Sequence, residues 1–250
     1  MTASASETNS TETITARSGS NLYPVTFAQG FDGFTMQLDV PEGVWNPTPH
    51  GVHLGNMLLK MDFSGEHVLE LGTGCGIHAI LLARQGASRI TATEIAPHIN
   101  DNAEHNLRKN GVDIDCTFLV ADWTNVPGAS HTSDVPWDTL ISNPPFAQSG
   151  KRYRRHFIDT LILDAHKLVK PGGRLVFVQS SMADVPRSID LMERCGMQVS
   201  IVGETDGPFR DYYFEDAAYL KEMAAIPGSY SVRDGVHYER LIVFDARLPA

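Results

Sequence analysis

From about residue 52 onward, short apolar runs alternate with longer stretches whose apolar positions recur every third or fourth residue. The runs suit buried strands and the longer stretches suit amphipathic helices. A helix is expected over 52–61, after the rigid segment Trp45-Asn-Pro-Thr-Pro-His50-Gly51. An apolar strand then runs from Val68 into Glu70 and Leu71, and a helix begins near Ile77. Further strands are expected at 89–93, 116–120, 137–141, 174–179, 198–204 and 239–247. Helices fall between them at 97–109, stopped by Gly111, and at 156–169 and 186–195. This alternation implies an α/β fold with a mainly parallel sheet covered on both faces. No internal repeat interrupts it.

The first 44 residues follow a different pattern. Residues 1–20 hold ten Ser or Thr, and Ile14 is the one aliphatic side chain between Ala5 and Ala16. Such a stretch cannot bury enough surface to offset its ordering entropy, so it reads as a disordered tail. Residues 21–44 offer strand-like runs at 22–28 and 34–40 around Gly30-Phe-Asp-Gly33, a hairpin extension. The remaining 45–250 form one domain, with an insertion over about 205–238 between the last two strands.

Four chemical signals stand at successive strand ends. The first is Glu70-Leu-Gly72-Thr-Gly74-Cys-Gly76, whose glycines permit positive φ and a close backbone approach to a ligand. The following helix aims its free N–H groups at the same place. Its spacing departs from the dinucleotide fingerprint, because Ile77 holds the place of the third glycine. The second is Glu94, 18 residues after Gly76 and placed to accept hydrogen bonds from ribose hydroxyls. The third is Asp122 with Trp123, a carboxylate for an adenine amino group beside an indole to pack on the ring. The fourth is Asn143-Pro-Pro-Phe146. Open α/β sheets bind ligands at these carboxyl ends.

The ordered set resembles class I S-adenosylmethionine-dependent methyltransferases over about residues 45–205, and Asn143-Pro-Pro-Phe146 resembles their amino-methylating branch. That branch includes release-factor glutamine methyltransferases and enzymes acting on exocyclic amines of nucleic acids. The resemblance implies a Rossmann-like seven-stranded sheet of order 3-2-1-4-5-7-6, its seventh strand antiparallel. It also implies S-adenosylmethionine as cofactor. Glu70, Gly72, Gly74 and Gly76 would hold its methionine part, Glu94 its ribose, and Asp122 and Trp123 its adenine, with Ile95 and Asn143 as further cofactor contacts. Asn143, Pro144 and Phe146 would carry the acceptor chemistry. A planar nitrogen has a delocalised lone pair, and accepting both its N–H bonds at the Asn143 side chain and Pro144 backbone favours that pair's release.

Composition narrows the acceptor. A net charge of −10 and a pI near 5.4 disfavour an extended nucleic-acid surface. The cysteines, Cys75, Cys116 and Cys195, are odd in number, show no metal-ligand spacing, and read as reduced cytoplasmic thiols. No apolar run suits a membrane span, and neither His50 nor His53 has a third ligand in view, so no metal is expected. Pro145, Phe146 and Arg152, within the basic run Lys151-Arg-Tyr-Arg-Arg155 that opens a helix, are candidate acceptor contacts. So are Tyr212, Tyr213 and Glu215, where acidic groups stand among aromatics as suits a cation. The two patches together favour a small acceptor such as a guanidine-bearing amino acid. The alternatives are a nucleic-acid amine, a protein glutamine, or a partner protein that binds the cofactor without turnover.

Overall fold

The computed structural model describes residues 25–31, 33–129, 135–146 and 154–250. The tail over 1–20 and the basic residues Lys151 and Arg152 lie outside the described residues.

The chain opens with the antiparallel pair β1 (Val25–Phe31) and β2 (Phe34–Val40). Then follow α1 (Pro49–Leu58), β3 (His67–Leu71), α2 (Ile77–Arg84), β4 (Arg89–Glu94), α3 (Pro97–Lys109), β5 (Asp115–Val120) and β6 (Thr139–Ser142). The second half runs through α4 (His156–Asp164), β7 (Arg174–Ser180), α5 (Val185–Arg194), β8 (Gln198–Pro208), α6 (Ala217–Ala224), β9 (Tyr230–Arg233) and β10 (Val236–Arg247). Sheet order is β5-β4-β3-β6-β7-β10-β8, with β10 antiparallel to both neighbours. Counted from β3 and leaving out β9, this is the 3-2-1-4-5-7-6 order expected. The short β9 pairs with β10 and brings the sheet to eight strands rather than seven.

Side-chain alternation divides the strands between two cores. Val68, Ile141, Val176, Val178 and Val243 face α1, α2, α3 and the hairpin. Leu69, Leu140, Leu175, Phe177 and Phe244 face α4 and α5. Successive residues of a strand point to opposite faces, so near-continuous apolar runs are what a doubly covered sheet requires.

Helix starts follow local chemistry. Thr48 caps α1, accepting from the Gly51 amide at 3.2 Å, with Pro49 in its first turn. Asp184 caps α5 through the Arg187 amide at 3.2 Å, with Pro186 behind it. The helix expected over 156–169 starts at His156 and passes into a 3-10 turn at Ala165–Lys167. Arg155 precedes it as an anchored residue, bonded to Asp159, Ser188 and the Asp184 carbonyl.

The hairpin is an integral part of one core. Met36, Leu38 and Val40 are fully buried, and each such side chain contributes about 1.5–3 kcal/mol. β2 is fastened to α3 by an asparagine ladder at one-turn spacing. Asn110 exchanges two bonds with the Gln37 backbone (2.9 and 2.8 Å), and Asn106 does the same with Asp39 (both 2.9 Å). Asn102 adds a bond to the Asp39 carbonyl, and Lys109 pairs with the Asp39 carboxylate at 2.6 Å.

The insertion starts later than the polar run Glu204-Thr-Asp206 suggests. β8 continues to Pro208 as an edge strand, and β10 begins at Val236. Cross-strand pairs Glu204–Arg240 (3.1 Å) and Asp206–Arg233 (2.7 Å) use these acids inside the ribbon. Between the two strands lies a cap, comprising a short 3-10 turn at Asp211–Phe214, α6 and β9. Its core is Phe209, Tyr213, Tyr219 and Met223, closed against Met182.

Candidate active site

Because β3, β4, β5 and β6 are mutually parallel, the four motifs that follow them share one edge of the sheet. At the end of β3, Gly72, Gly74 and Gly76 all have positive φ, at 76°, 54° and 82°. A Cβ on Gly76 would meet the Ala103 carbonyl and Leu107 at 3.1 Å, so this glycine lets α2 pack on α3. A Cβ on Gly74 would meet nothing within 4 Å. The loop therefore keeps a bare backbone facing open space, the cradle a nucleoside-bearing ligand needs.

Glu94 reaches this loop from β4. Its carboxylate accepts from the amides of Gly74 and Ile95, both at 3.1 Å. Burial pushes its carboxyl above the usual range, against the pull of those two amides. Ile95 stands 70% exposed at the same strand end, an apolar side chain without cover. Asp122 is exposed and ordered by the Thr124 hydroxyl and amide (2.6 and 2.8 Å), which hold its carboxyl below the usual range. Trp123 lies between the glycine loop and α4, since a Cβ on Gly72 would sit 3.8 Å from its ring and Phe157 meets it edge-on at 5.1 Å.

Glu70 faces the loop from beneath. It is fully buried, accepts from the Thr73 hydroxyl at 2.8 Å and meets His78 Nδ1 at 3.1 Å. His78 Nε2 lies 2.9 Å from the Gly51 carbonyl. That carbonyl can only accept, so Nε2 carries a proton and the imidazole braces α1 against Glu70. Asn143 completes the group. A Cβ on Gly51 would lie 3.3 Å from Asn143 Nδ2 and 3.7 Å from His78 Nε2, so a bare glycine lets helix, imidazole and amide come together. Pro144 is buried, Pro145 exposed, and Phe146 half-buried between the α4 side of the sheet and the cap.

The cap places its candidates differently from the cationic-ligand reading. Tyr213 is buried, with its hydroxyl 3.3 Å from Glu239, and burial raises its ionisation far above the ordinary value. Tyr212 accepts from Arg210 at 3.0 Å, and Glu215 is exposed at the end of the 3-10 turn. Asp216 caps α6. Tyr213 is thus part of the cap's own core, Tyr212 is half-buried against it, and Glu215 lies on its surface. Arg152 lies outside the described residues.

Several site residues escape sequence reasoning. His78 shows only as one imidazole at the head of the apolar run Ile77-His-Ala-Ile-Leu-Leu82. His50 accepts from Arg210 at 2.9 Å and faces Glu239 at 3.5 Å, tying α1 to the cap. Burial alone would raise the Glu239 carboxyl, but His50, Ser180 and Arg210 overcome it and hold it below the usual range. Among the described residues, no cluster of three His, Cys, Asp or Glu forms a metal-ligand group, and no helix is long and apolar enough to cross a membrane.

Known proteins bear on this arrangement. A Methanocaldococcus jannaschii protein named for N5-glutamine methylation of protein is 28% identical over 173 residues, covering 62% of this chain and 83% of that one. The release factor glutamine methyltransferase of Neisseria gonorrhoeae is 30% identical over 138 residues, covering 53% of this chain. The match spans 48% of that enzyme, about half its length. Among solved structures, SMU.776 in its SAH complex superposes with a TM-score of 0.61 at 16% identity, over 93% of this chain and 58% of its own. The T. thermophilus 16S rRNA methyltransferase RsmC with AdoMet and guanosine gives 0.58 at 18% identity, over 90% and 50%. Both share the fold. The family model for the methyltransferase small domain matches residues 51–207, from the glycine that faces Asn143 to the strand that carries the cap. The chain belongs to the methyltransferase small domain family.

Proposed function

We propose that this enzyme is an N-methyltransferase that takes its methyl group from S-adenosylmethionine and places it on the side-chain nitrogen of a polypeptide glutamine. The observation that carries the reading is Asn143-Pro-Pro-Phe146 at the end of β6, with the Asn143 amide beside the bare Gly51. The bare backbone at Gly74, the Glu94 carboxylate and the uncovered Ile95 fit the methionine, ribose and adenine portions of the cofactor, with Asp122 and Trp123 closing the adenine side.

When bound, S-adenosylmethionine supplies an electrophilic methyl carbon on a sulfonium. The protein's own part is to aim a nitrogen lone pair. In a carboxamide that pair is delocalised into the carbonyl. The Asn143 side-chain oxygen and the Pro144 carbonyl each accept one N–H, which favours a lone pair directed away from the amide plane. Pro144 has no N–H to compete for its neighbours. Phe146 gives a flat amide a face to rest on. Such positioning can lower a two-substrate barrier by about 7–11 kcal/mol. The extra proton leaves to water, so no dedicated base is assigned.

The small guanidine-bearing acceptor is set aside. Glu204 and Asp206 are paired across the strands and Asp216 caps α6, and relatives carry names that refer to protein and tRNA acceptors. The test supplies methyl-labelled S-adenosylmethionine with separate small-metabolite, protein and RNA fractions. Label in protein, located on glutamine by mass spectrometry, is the expected result. Label confined to RNA would replace glutamine with a nucleobase amine. Cofactor binding without label in any fraction would favour a non-catalytic partner.

A further inference from the structure

Beside Phe146 lies a cavity of about 550 Å³ between α4, the start of α5 and the cap helix α6. Three arginines reach it, and among the described residues Arg154 alone of the three has buried donors without a partner. Arg155 and Arg187 both bond Asp159, at 2.9 and 2.6 Å. Arg154 is 7% exposed, and its Nε and Nη1 have no hydrogen-bond partner among the described residues. The Glu222 carboxylate stands 3.4 Å from Nη1, near enough to attract it without accepting a hydrogen bond, and the guanidinium rests on the Tyr219 ring at 4.3 Å.

Stability does not explain this residue. Buried charged donors without acceptors are unfavourable. Arg154 also stands just before the N-terminus of α4, where the helix dipole disfavours a cation. A ligand that supplies two acceptor oxygens answers both objections. The planar guanidinium fork matches a carboxylate in two parallel bonds. The apolar wall of Phe146, Leu163, Met182 and Met223 suits the methylene stem of an acidic side chain. Asp159 and Glu222, also in the wall, and the net charge of −10 oppose a run of phosphates.

We propose that the Arg154 cavity binds the carboxylate of an acidic residue flanking the methylated glutamine, and so selects the acceptor sequence. This rests on the polypeptide reading above. The probes are synthetic peptides with a central glutamine and one glutamate moved through the flanking positions, beside a neutral parent. Methyl transfer is followed at saturating S-adenosylmethionine with the wild type, Arg154→Lys, Arg154→Gln and Glu222→Gln.

One glutamate position should lower the wild-type KM about tenfold or more, the scale of a charged hydrogen-bonded pair, with kcat little changed. Arg154→Gln should abolish that preference. Arg154→Lys, which keeps the charge and the cap's packing but loses the fork, should reduce it several-fold. Glu222→Gln should increase it by removing a competing carboxylate. If the wild type methylates all peptides alike, or the preference survives Arg154→Gln, the cavity assignment is wrong while glutamine methylation stands. If no peptide is methylated and RNA is, both fall.

Discussion

Replacing Asn106 with leucine tests how the hairpin and the glycine loop depend on each other. The side chain is fully buried on α3, and its amide nitrogen donates to the carbonyls of Asp39 and Cys75, each at 2.9 Å. Its oxygen accepts the Asp39 amide at 2.9 Å. Leucine fills similar space, so the perturbation is loss of hydrogen bonding and not a cavity. The Asp39 carbonyl keeps Asn102, and the substitution removes the Asn106 bonds to two backbone groups, the Asp39 N–H and the Cys75 carbonyl. At about 1–3 kcal/mol each, the loss is about 2–6 kcal/mol. For a chain of this size that lowers Tm by about 4–24 °C. Thermal melts followed by circular dichroism read the stability. Calorimetric titration with S-adenosylhomocysteine reads the loop, and affinity should fall several-fold because Cys75 lies inside it. Asn110→Leu is the control, since its bonds serve Gln37 at the exposed end of the ladder. It should cost less stability and leave cofactor affinity intact. A melt of Asn106→Leu within a degree or two of wild type would refute the reasoning, as would equal loss of affinity in both variants.

Asn143→Ala should remove turnover, at least a hundredfold, while S-adenosylhomocysteine affinity changes no more than about threefold; parallel loss of both would contradict the acceptor role. Asp122→Ala should weaken cofactor affinity about tenfold, and an unchanged dissociation constant by titration would sink the adenine assignment. Gly76→Ala forces a side chain into positive φ and against the Ala103 carbonyl, so it should lower Tm, with an unchanged melt as the contrary result. For Glu94, the folded carboxyl titrates above its unfolded value because burial disfavours the charge. Its contribution to stability is therefore fully present below the ordinary carboxylate value and is lost as pH rises through the raised one. Hydrogen bonds from ribose favour the ionised form, so cofactor affinity should climb over that same interval. A titration series with Glu94→Gln should lack this slope, and a wild-type profile equally flat would remove Glu94 from the ribose.

The sheet was legible because its strands need unbroken apolar runs, and the glycines, Glu94, Asp122 and Asn143 follow those runs directly. What stayed hidden is polar chemistry turned inward. The series Asn102, Asn106 and Asn110 is visible in the letters, yet amides at helical spacing usually face water, and their backbone partners lie more than 60 residues away. Arg154 was part of a basic run whose solvated reading fits composition, and only the fold shows that its guanidinium is buried. The end of the first hairpin strand, expected at residue 28, was misjudged for a local reason. Gly30 reads as turn, but it pairs with Thr35 inside the ribbon, and the first strand runs on to Phe31. The polar edge of β8 hid the true start of the cap in the same way, since an edge strand tolerates acids that an interior strand would not.

The long ribbon of β8 and β10 has a consequence for how this scaffold can change. Tyr238 pairs with Pro208, and the Phe209 amide bonds the His237 carbonyl at 3.0 Å, so the excursion leaves and rejoins the sheet at adjacent rungs. Exchanging the segment between those rungs would remove β9 and the Arg210–His50 bond but leave the pairing of β8 with β10 and the glycine loop across the sheet in place. If the Arg154 cavity selects the acceptor as proposed, the cap helix that lends it Tyr219 and Glu222 is the part of that selection open to exchange while methyl-donor handling stays constant.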